Sequence, residues 1–506
     1  MAPKNKRAQD ELYVPPTALT FDDISLMPQD ISDISSRKDE SISLKSQISR
    51  NITLNIPAIA SYMPTVCEAD MAIAMAQIGG VGILHRWMAI EEQVHQVQLV
   101  KRHENRVIED PYTIPPSLPI SQIKRYMLER KVGAFLVVDE QKRLLGLVST
   151  RDVDLRDGGG LVARDVMTPR KDLVVAPPGT STEEAIRLFV EHRKEKIPVV
   201  DRDNIVRGLL SKKDVKKMQN KLAVRDADGH LLVAASIGLS KRDMFERTEA
   251  LLEAGADLIV LAIANSYLAD ALEAVRKLRA AFPDVDLAAG VVTEYEGAKR
   301  VFEAGADTVL VGIGPGSICE TRIVAGVGVP QFTALRMAQR AAREQGKFII
   351  SDGGVRQPHH FNKALFAGAS GTILGSVLAG TDESPGEKLV IDGKLVKFHR
   401  GLASDYAKQK MDEIQGVTEE VNKEDLMEYV YRHIEAEGVE SGSVPYTGSV
   451  IETLRRITGG LRSMMTYMGV RNIEGLWKRC DEGKYVRVTD AGNKEGNPHD
   501  LISFRS

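Results

Sequence analysis

The run Gly312-Ile313-Gly314-Pro315-Gly316-Ser317-Ile318-Cys319-Glu320-Thr321-Arg322 puts a cysteine where thiolate chemistry is easy to arrange. Glycine and serine leave backbone N–H groups bare, and such groups suit a phosphate or another anion. Arg322 favours a charged sulfur, and a cysteine thiolate is a nucleophile. Glu320 opposes that charge unless Arg322 offsets it. Thr321 supplies a hydroxyl two residues from the sulfur. The plainer alternative is a glycine-rich turn around an inert thiol, the role read for Cys67 and Cys480. Two further glycine-rich runs carry polar groups, Ser351-Asp352-Gly353-Gly354 and Leu374-Gly375-Ser376.

Each of these runs follows or ends a short apolar stretch. Such stretches fall at 56–61, 80–85, 231–238, 258–264, 287–292, 308–313, 348–351 and 371–375. Helix-like patterns at 242–254, 267–282 and 329–345 lie between them. Near-continuous apolar strands separated by helices indicate a parallel sheet. Eight such units predict an α/β fold, a (β/α)8 TIM barrel, with a doubly wound open sheet as the other arrangement. A barrel gathers the loops after its strands on one face, and those after strands seven and eight commonly hold phosphate.

The series is interrupted after the second strand. Val137-Val138-Asp139 reappears as Val199-Val200-Asp201. Leu145-Gly146-Leu147-Val148-Ser149-Thr150-Arg151-Asp152-Val153 reappears as Arg207-Gly208-Leu209-Leu210-Ser211-Lys212-Lys213-Asp214-Val215. The offset is constant at 62 residues (139 to 201, 146 to 208, 152 to 214). A duplicated unit predicts a pseudo-symmetric pair. Asp152 and Asp214 are placed either to accept hydrogen bonds from ribose hydroxyls or to cap the helix that follows. The expected domains are 1–106 and 222–506 for the barrel and 107–221 for the insert. A charged segment, 401–440, reads as a lid or a solvated insertion. His359 and His360 read as exposed residues at a helix start.

The 506 residues are 43% apolar and carry a net charge of −3, enough for a large core in more than one domain. Three cysteines make no disulfide framework. No basic stripe argues for nucleic acid, and no apolar run reaches the roughly 18 residues that span a bilayer. The expectation is a cytoplasmic protein with neither nucleic acid nor membrane as partner.

Taken in order, these motifs resemble the inosine monophosphate dehydrogenase and guanosine monophosphate reductase family. The likeness runs through Leu19-Thr20-Phe21-Asp22-Asp23, Gly79-Gly80-Val81-Gly82, the Cys319 loop and Gly326-Val327-Gly328-Val329-Pro330-Gln331. It continues through Ser351-Asp352-Gly353-Gly354-Val355-Arg356 and Ala379-Gly380-Thr381-Asp382-Glu383-Ser384-Pro385-Gly386-Glu387. The insert resembles a tandem CBS (Bateman) pair. The resemblance implies that Cys319 adds to C2 of a purine mononucleotide and that Asp352 holds its ribose. Ser317, Gly354, Gly375 and Ser376 would cradle the 5′-phosphate, and His399, Gly401 and Leu402 would complete the substrate site. Thr321 and Glu383 match acid–base residues. Ala264, Asn265, Tyr267, Gly312 and Gly314 match the cofactor site. Gly314, Gly316 and Cys319, with Glu495-Gly496 as a weaker match, fall where the family binds a monovalent cation, K+. Asp152 and Asp214 would meet ATP or GTP, and the family implies a homotetramer or octamer.

The two branches of the family differ after the shared covalent step. A dehydrogenase oxidises IMP with NAD and activates water through an Arg-Tyr pair. A reductase expels ammonia from GMP and takes hydride from NADPH. No Arg-Tyr pair lies between 405 and 440, and Ala264-Asn265-Ser266-Tyr267 and the run 459–469 follow a reductase-like pattern. The reading is an NADPH-dependent GMP reductase. IMP dehydrogenase and a non-catalytic purine-nucleotide sensor are the alternatives. Four positions depart from the family pattern: Pro64 and Ala262 stand for aspartates, Val291 for an asparagine and His399 for a tyrosine. Three of these remove polar groups on the expected cofactor side, where a lost buried partner costs about 1–3 kcal/mol.

Overall fold

The computed structural model describes residues 17–103, 107–108, 111–130, 132–154, 160–212, 215, 220–240, 243–401 and 442–496. These fall into two compact units, Met1–Val100 with Leu232–Ser506, and Lys101–Leu231.

In the first unit eight strands close a parallel barrel. They are β1 (Ala58–Ala60), β2 (Val81–Leu84), β3 (Ala234–Ile237), β4 (Leu258–Ala262), β5 (Asp286–Val292), β6 (Thr308–Val311), β7 (Phe348–Asp352) and β8 (Gly371–Leu374). Each pairs with the next, and β8 returns to β1 through Thr372 opposite Ala58. β2 meets β3 across the insert, Ile83 opposite Ala234. Closure excludes the doubly wound alternative. All eight strands are the expected ones, and every residue of β3, β4, β5 and β6 is buried. That explains the unbroken apolar runs, since a barrel strand packs on side chains within and helices without.

The helices bury one face against the strands. Ala269–Ala281 turns Ala271, Ala274, Val275 and Leu278 inward, a spacing of three and four residues. At the N-terminal ends of the strands the buried carboxylate of Asp307 accepts from Arg279 Nη2 at 2.5 Å, Lys347 Nζ at 3.0 Å and Leu287 N at 3.0 Å. Such a network staples that rim and leaves the opposite rim free for chemistry. Among the described residues no helix is long and apolar enough to cross a membrane.

The second unit is built twice. Helix Ile120–Glu129, strand Ala134–Val138 and strand Leu144–Ser149 recur as Thr182–His192, Lys196–Val200 and Val206–Ser211. The shared aspartates make the same turn: Asp139 Oδ1 accepts from Gln141 N and Arg143 N, and Asp201 Oδ1 from Asp203 N and Ile205 N. The halves share a core of Leu136, Leu144, Leu147, Val200 and Leu209. Asp152 closes a capping box at the start of the following helix, its Oδ2 accepting from Ser149 N at 2.7 Å and Ser149 Oγ at 2.8 Å. Asp214 lies outside the described residues. The unit is wider than the expected 107–221.

Candidate active site

The loops after β6 and β7 are locked together before any side chain chemistry enters. Gln331 Nε2 donates to Val311 O at 2.7 Å and to Ser351 Oγ at 3.1 Å. Gly312 has φ +144°, and a Cβ there would lie 2.1 Å from Asp352 O. Gly353 and Gly354 both have positive φ, which lets this loop fold over Pro315 and against Phe21. The same loop is held from outside. His360 Nδ1 accepts from Arg356 N and Gln357 N, while its Nε2 lies 2.7 Å from Asp22 Oδ1. His360 is therefore a buried clamp, not the exposed residue expected from its place at a helix start.

These contacts open a cavity of about 360 Å³ at the C-terminal ends of the strands. One wall is polar. Cys319 is partly exposed, and its Sγ donates to Thr321 Oγ1 at 3.3 Å. Asp352 ends β7, and burial pushes its carboxyl up to about 6, against the lowering effect of a hydrogen bond from Tyr62 Oη at 2.7 Å. Arg86 follows β2, its guanidinium 4.4 Å from the Trp87 ring and pushed down to about 10 by burial. Among the described residues Arg86 Nε has no hydrogen-bond partner. The rest of the lining, the apolar wall, includes Met63, Trp87, Ala262, Ile263, Val291 and Ile318.

The expected site residues divide. Cys319, Thr321, Asp352, Gly312, Gly314, Gly316 and Ala264 line the cavity. Gly354 and Gly375 lie on the loops expected to hold phosphate, and Gly375 O accepts from Leu378 N and Ala379 N, leaving the Ser376 and Val377 N–H groups without helical partners. Ser317 is exposed on the cysteine loop. Glu383 is engaged elsewhere: its carboxylate accepts from Ser449 Oγ at 2.7 Å and Val450 N at 2.8 Å, capping helix Val450–Met468. Asn265 Oδ1 closes a turn on Tyr267 N, and Tyr267 Oη accepts from Thr293 N at 3.0 Å, so both brace the loops after β4 and β5 outside the cavity wall. His399 is buried with Nδ1 2.8 Å from Thr65 Oγ1, and burial pushes it down to about 4. A neutral imidazole is a poor match for a phosphate. Gly401 is buried beside it, whereas Leu402 and 402–440 of the expected lid lie outside the described residues. Gly316 O accepts from Cys319 N at 3.2 Å.

Sequence reasoning missed Tyr62, Arg86 and Trp87. Each follows an early strand and shares a cavity with the cysteine only through barrel closure.

The apolar wall tests the fit of a nicotinamide. Its apolar side chains, with the Trp87 ring among them, suit such a ring. Ala262 and Val291 offer no side-chain partner to a ribose or carboxamide, so any such contact falls to other groups.

Residues 18–499 match the family described as "IMP dehydrogenase / GMP reductase domain". The chain is 42% identical to the inosine-5′-monophosphate dehydrogenase of Nitrosopumilus maritimus over 96% of its length and 98% of the relative's. It is 40% identical to that of Aquifex aeolicus, covering 96% and 95%. Among solved structures it is similar to a cysteine-to-alanine variant of GMP reductase from Trypanosoma brucei in complex with guanosine 5′-monophosphate. That match has a TM-score of 0.87 and 38% identity, and covers 96% of this chain and 99% of the other.

Proposed function

The chain belongs to the IMP dehydrogenase / GMP reductase family and is a purine-nucleotide oxidoreductase, and on that premise we propose that it reduces GMP to IMP through a covalent bond to Cys319. The observation that carries the reading is one cavity holding the Cys319–Thr321 contact at 3.3 Å, the Asp352 carboxylate and an apolar wall. The likeness to a GMP-bound reductase and the lack of an Arg-Tyr pair between 405 and 440 support the reductive direction.

In this mechanism the sugar hydroxyls donate to Asp352, and the loops after β7 and β8 take the phosphate. That leaves C2 of the purine at Cys319 Sγ, so binding energy orients the reacting atoms. The thiolate adds to C2. The 2-amino group takes a proton and leaves as ammonia, and a thioimidate remains on the sulfur. Thr321 relays protons beside the sulfur. A nicotinamide, when bound, supplies hydride at C2, with Met63, Trp87, Ala262, Ile263, Val291 and Ile318 as the wall that excludes water from it. The C2–S bond then breaks, its electron pair returns to sulfur, and IMP is released. Glu383 takes no part, because its carboxylate caps a helix.

Oxidation of IMP to XMP, in which hydride leaves C2 for NAD and water then releases the thioimidate from Cys319, is the second reading, favoured by the dehydrogenase relatives at 42% and 40% identity. Two mixtures separate the readings. Protein with GMP and NADPH loses reduced-cofactor absorbance if it is a reductase, and protein with IMP and NAD gains it if it is a dehydrogenase. Silence in both, with GMP bound, identifies a sensor. The duplicated unit we assign to ATP or GTP. A change of GMP turnover with either nucleotide supports that assignment, and identical kinetics with both refutes it.

A further inference from the structure

We propose that Tyr62 is a positioning residue for Asp352: its hydroxyl fixes one carboxylate oxygen, so that the remaining lone pairs face a ligand's sugar hydroxyls. The inference rests on the sugar-binding role proposed above for Asp352. Tyr62 stands at the loop after β1, 290 residues from Asp352 in sequence, and the two meet only because β8 closes on β1 beside β7. The Oη–Oδ2 distance is 2.7 Å and both residues line the cavity. Tyr62 is 7% exposed, so the ring has little freedom to turn away.

The donor is fixed. Burial, and then the charge of Asp352, push the Tyr62 phenol well above its ordinary range, so it keeps its proton and gives the hydrogen bond. A carboxylate has about four lone-pair sites, and one hydrogen bond leaves room for two sugar hydroxyls. The bond also opposes desolvation. Asp352 is pushed up to about 6 with the tyrosine in place, and removing a donor to the charged form raises a carboxyl further. Around this pair the titratable cavity residues are Arg86, from the loop after β2, and Cys319, from the loop after β6. Arg86 lowers the Tyr62 phenol and Cys319 raises it.

The sign follows. Sugar binding needs the carboxylate, so affinity is full above the Asp352 midpoint and falls as pH drops through it. In Tyr62→Phe that fall begins at higher pH. For a rise of about one unit, the ionised fraction falls about fivefold at pH 6, about twofold at pH 7 and hardly at pH 8.

The test uses the full chain and two readouts. The first needs no ligand: the carboxyl band of Asp352, taken as the infrared difference between the protein and Asp352→Asn, is titrated with and without Tyr62→Phe. A midpoint that rises by about one unit supports the proposal, and an unmoved midpoint overturns it. The second is GMP binding to the Cys319→Ala variant from pH 5.5 to 8.5 by calorimetry. The loss caused by Tyr62→Phe grows toward low pH if Tyr62 acts through Asp352. A loss equal at every pH overturns that role and marks simple packing. In an Asp352→Asn background Tyr62→Phe changes GMP affinity by less than about twofold at every pH, since the coupled partner is gone. A larger change there also overturns it. Failure of GMP to bind at any pH, beside a carboxyl midpoint that still moves, strikes the sugar-site reading and leaves the Tyr62–Asp352 coupling intact.

Discussion

The two walls of the cavity are made by different rules. On the polar wall each functional group is held by others: Asp352 by Tyr62, Cys319 by Thr321, and the two carrying loops by Gln331. On the apolar wall Ala262, Val291 and Met63 offer shape without direction. Preorganised polar groups discriminate between ligands by large factors, because a mismatch leaves a buried group unpaired. An apolar wall discriminates weakly, about 1–3 kcal/mol for a methylene. Under the proposed mechanism, selectivity for the nucleotide resides on the first wall, and the second tolerates variation in the ring it covers.

Substitutions on each side sharpen this contrast. The largest effect belongs to Cys319→Ala, which lowers GMP turnover by about a thousandfold or more while GMP binding by calorimetry stays within a few-fold. Turnover near that of the parent protein contradicts a covalent route. Asp352→Asn comes next. It raises the Michaelis constant for GMP by about ten- to a hundredfold, the equivalent of one or two lost hydrogen bonds to a charged group. On the other wall, Ala262→Leu raises the Michaelis constant for the nicotinamide by about tenfold through lost space, with GMP affinity within about twofold. Equal losses for both ligands erase the division of labour. The smallest effect is that of Glu383→Gln, which lies away from both walls. Thermal unfolding shows a loss of about 1 kcal/mol from a weakened helix cap, and turnover stays within about twofold. A large fall in turnover without loss of stability restores Glu383 to the chemistry.

The barrel was legible because each of its strands is buried on both faces and reads as an apolar run. The duplicated unit was legible because both halves preserve one turn, with Asp139 and Asp201 in the same role. Cys319 and Asp352 were legible because each sits in a glycine-rich loop whose positive φ values demand that composition. Glu383 shows how a local motif leaves a role open. A carboxylate is equally at home as an acid–base group and as a cap, and its cap partners lie 66 and 67 residues away. Asn265 and Tyr267 likewise spend their polar atoms on neighbouring loops, Tyr267 on both the backbone and the hydroxyl of Thr293. Tyr62 carries no local signal because Asp352 is brought near only by closure of the barrel, and the burial of His360 depends partly on Asp22 in the N-terminal segment.

The central claim is a bond between one sulfur and a purine carbon, and it is most directly tested by rapid quenching of the protein with GMP, followed by mass spectrometry of its cysteine peptides. The expected result is a purine-nucleotide adduct on the peptide containing Cys319, absent from those containing Cys67 and Cys480 and lost on adding NADPH as IMP appears. No adduct on Cys319 while GMP is turned over, or an adduct on either buried cysteine instead, would contradict it.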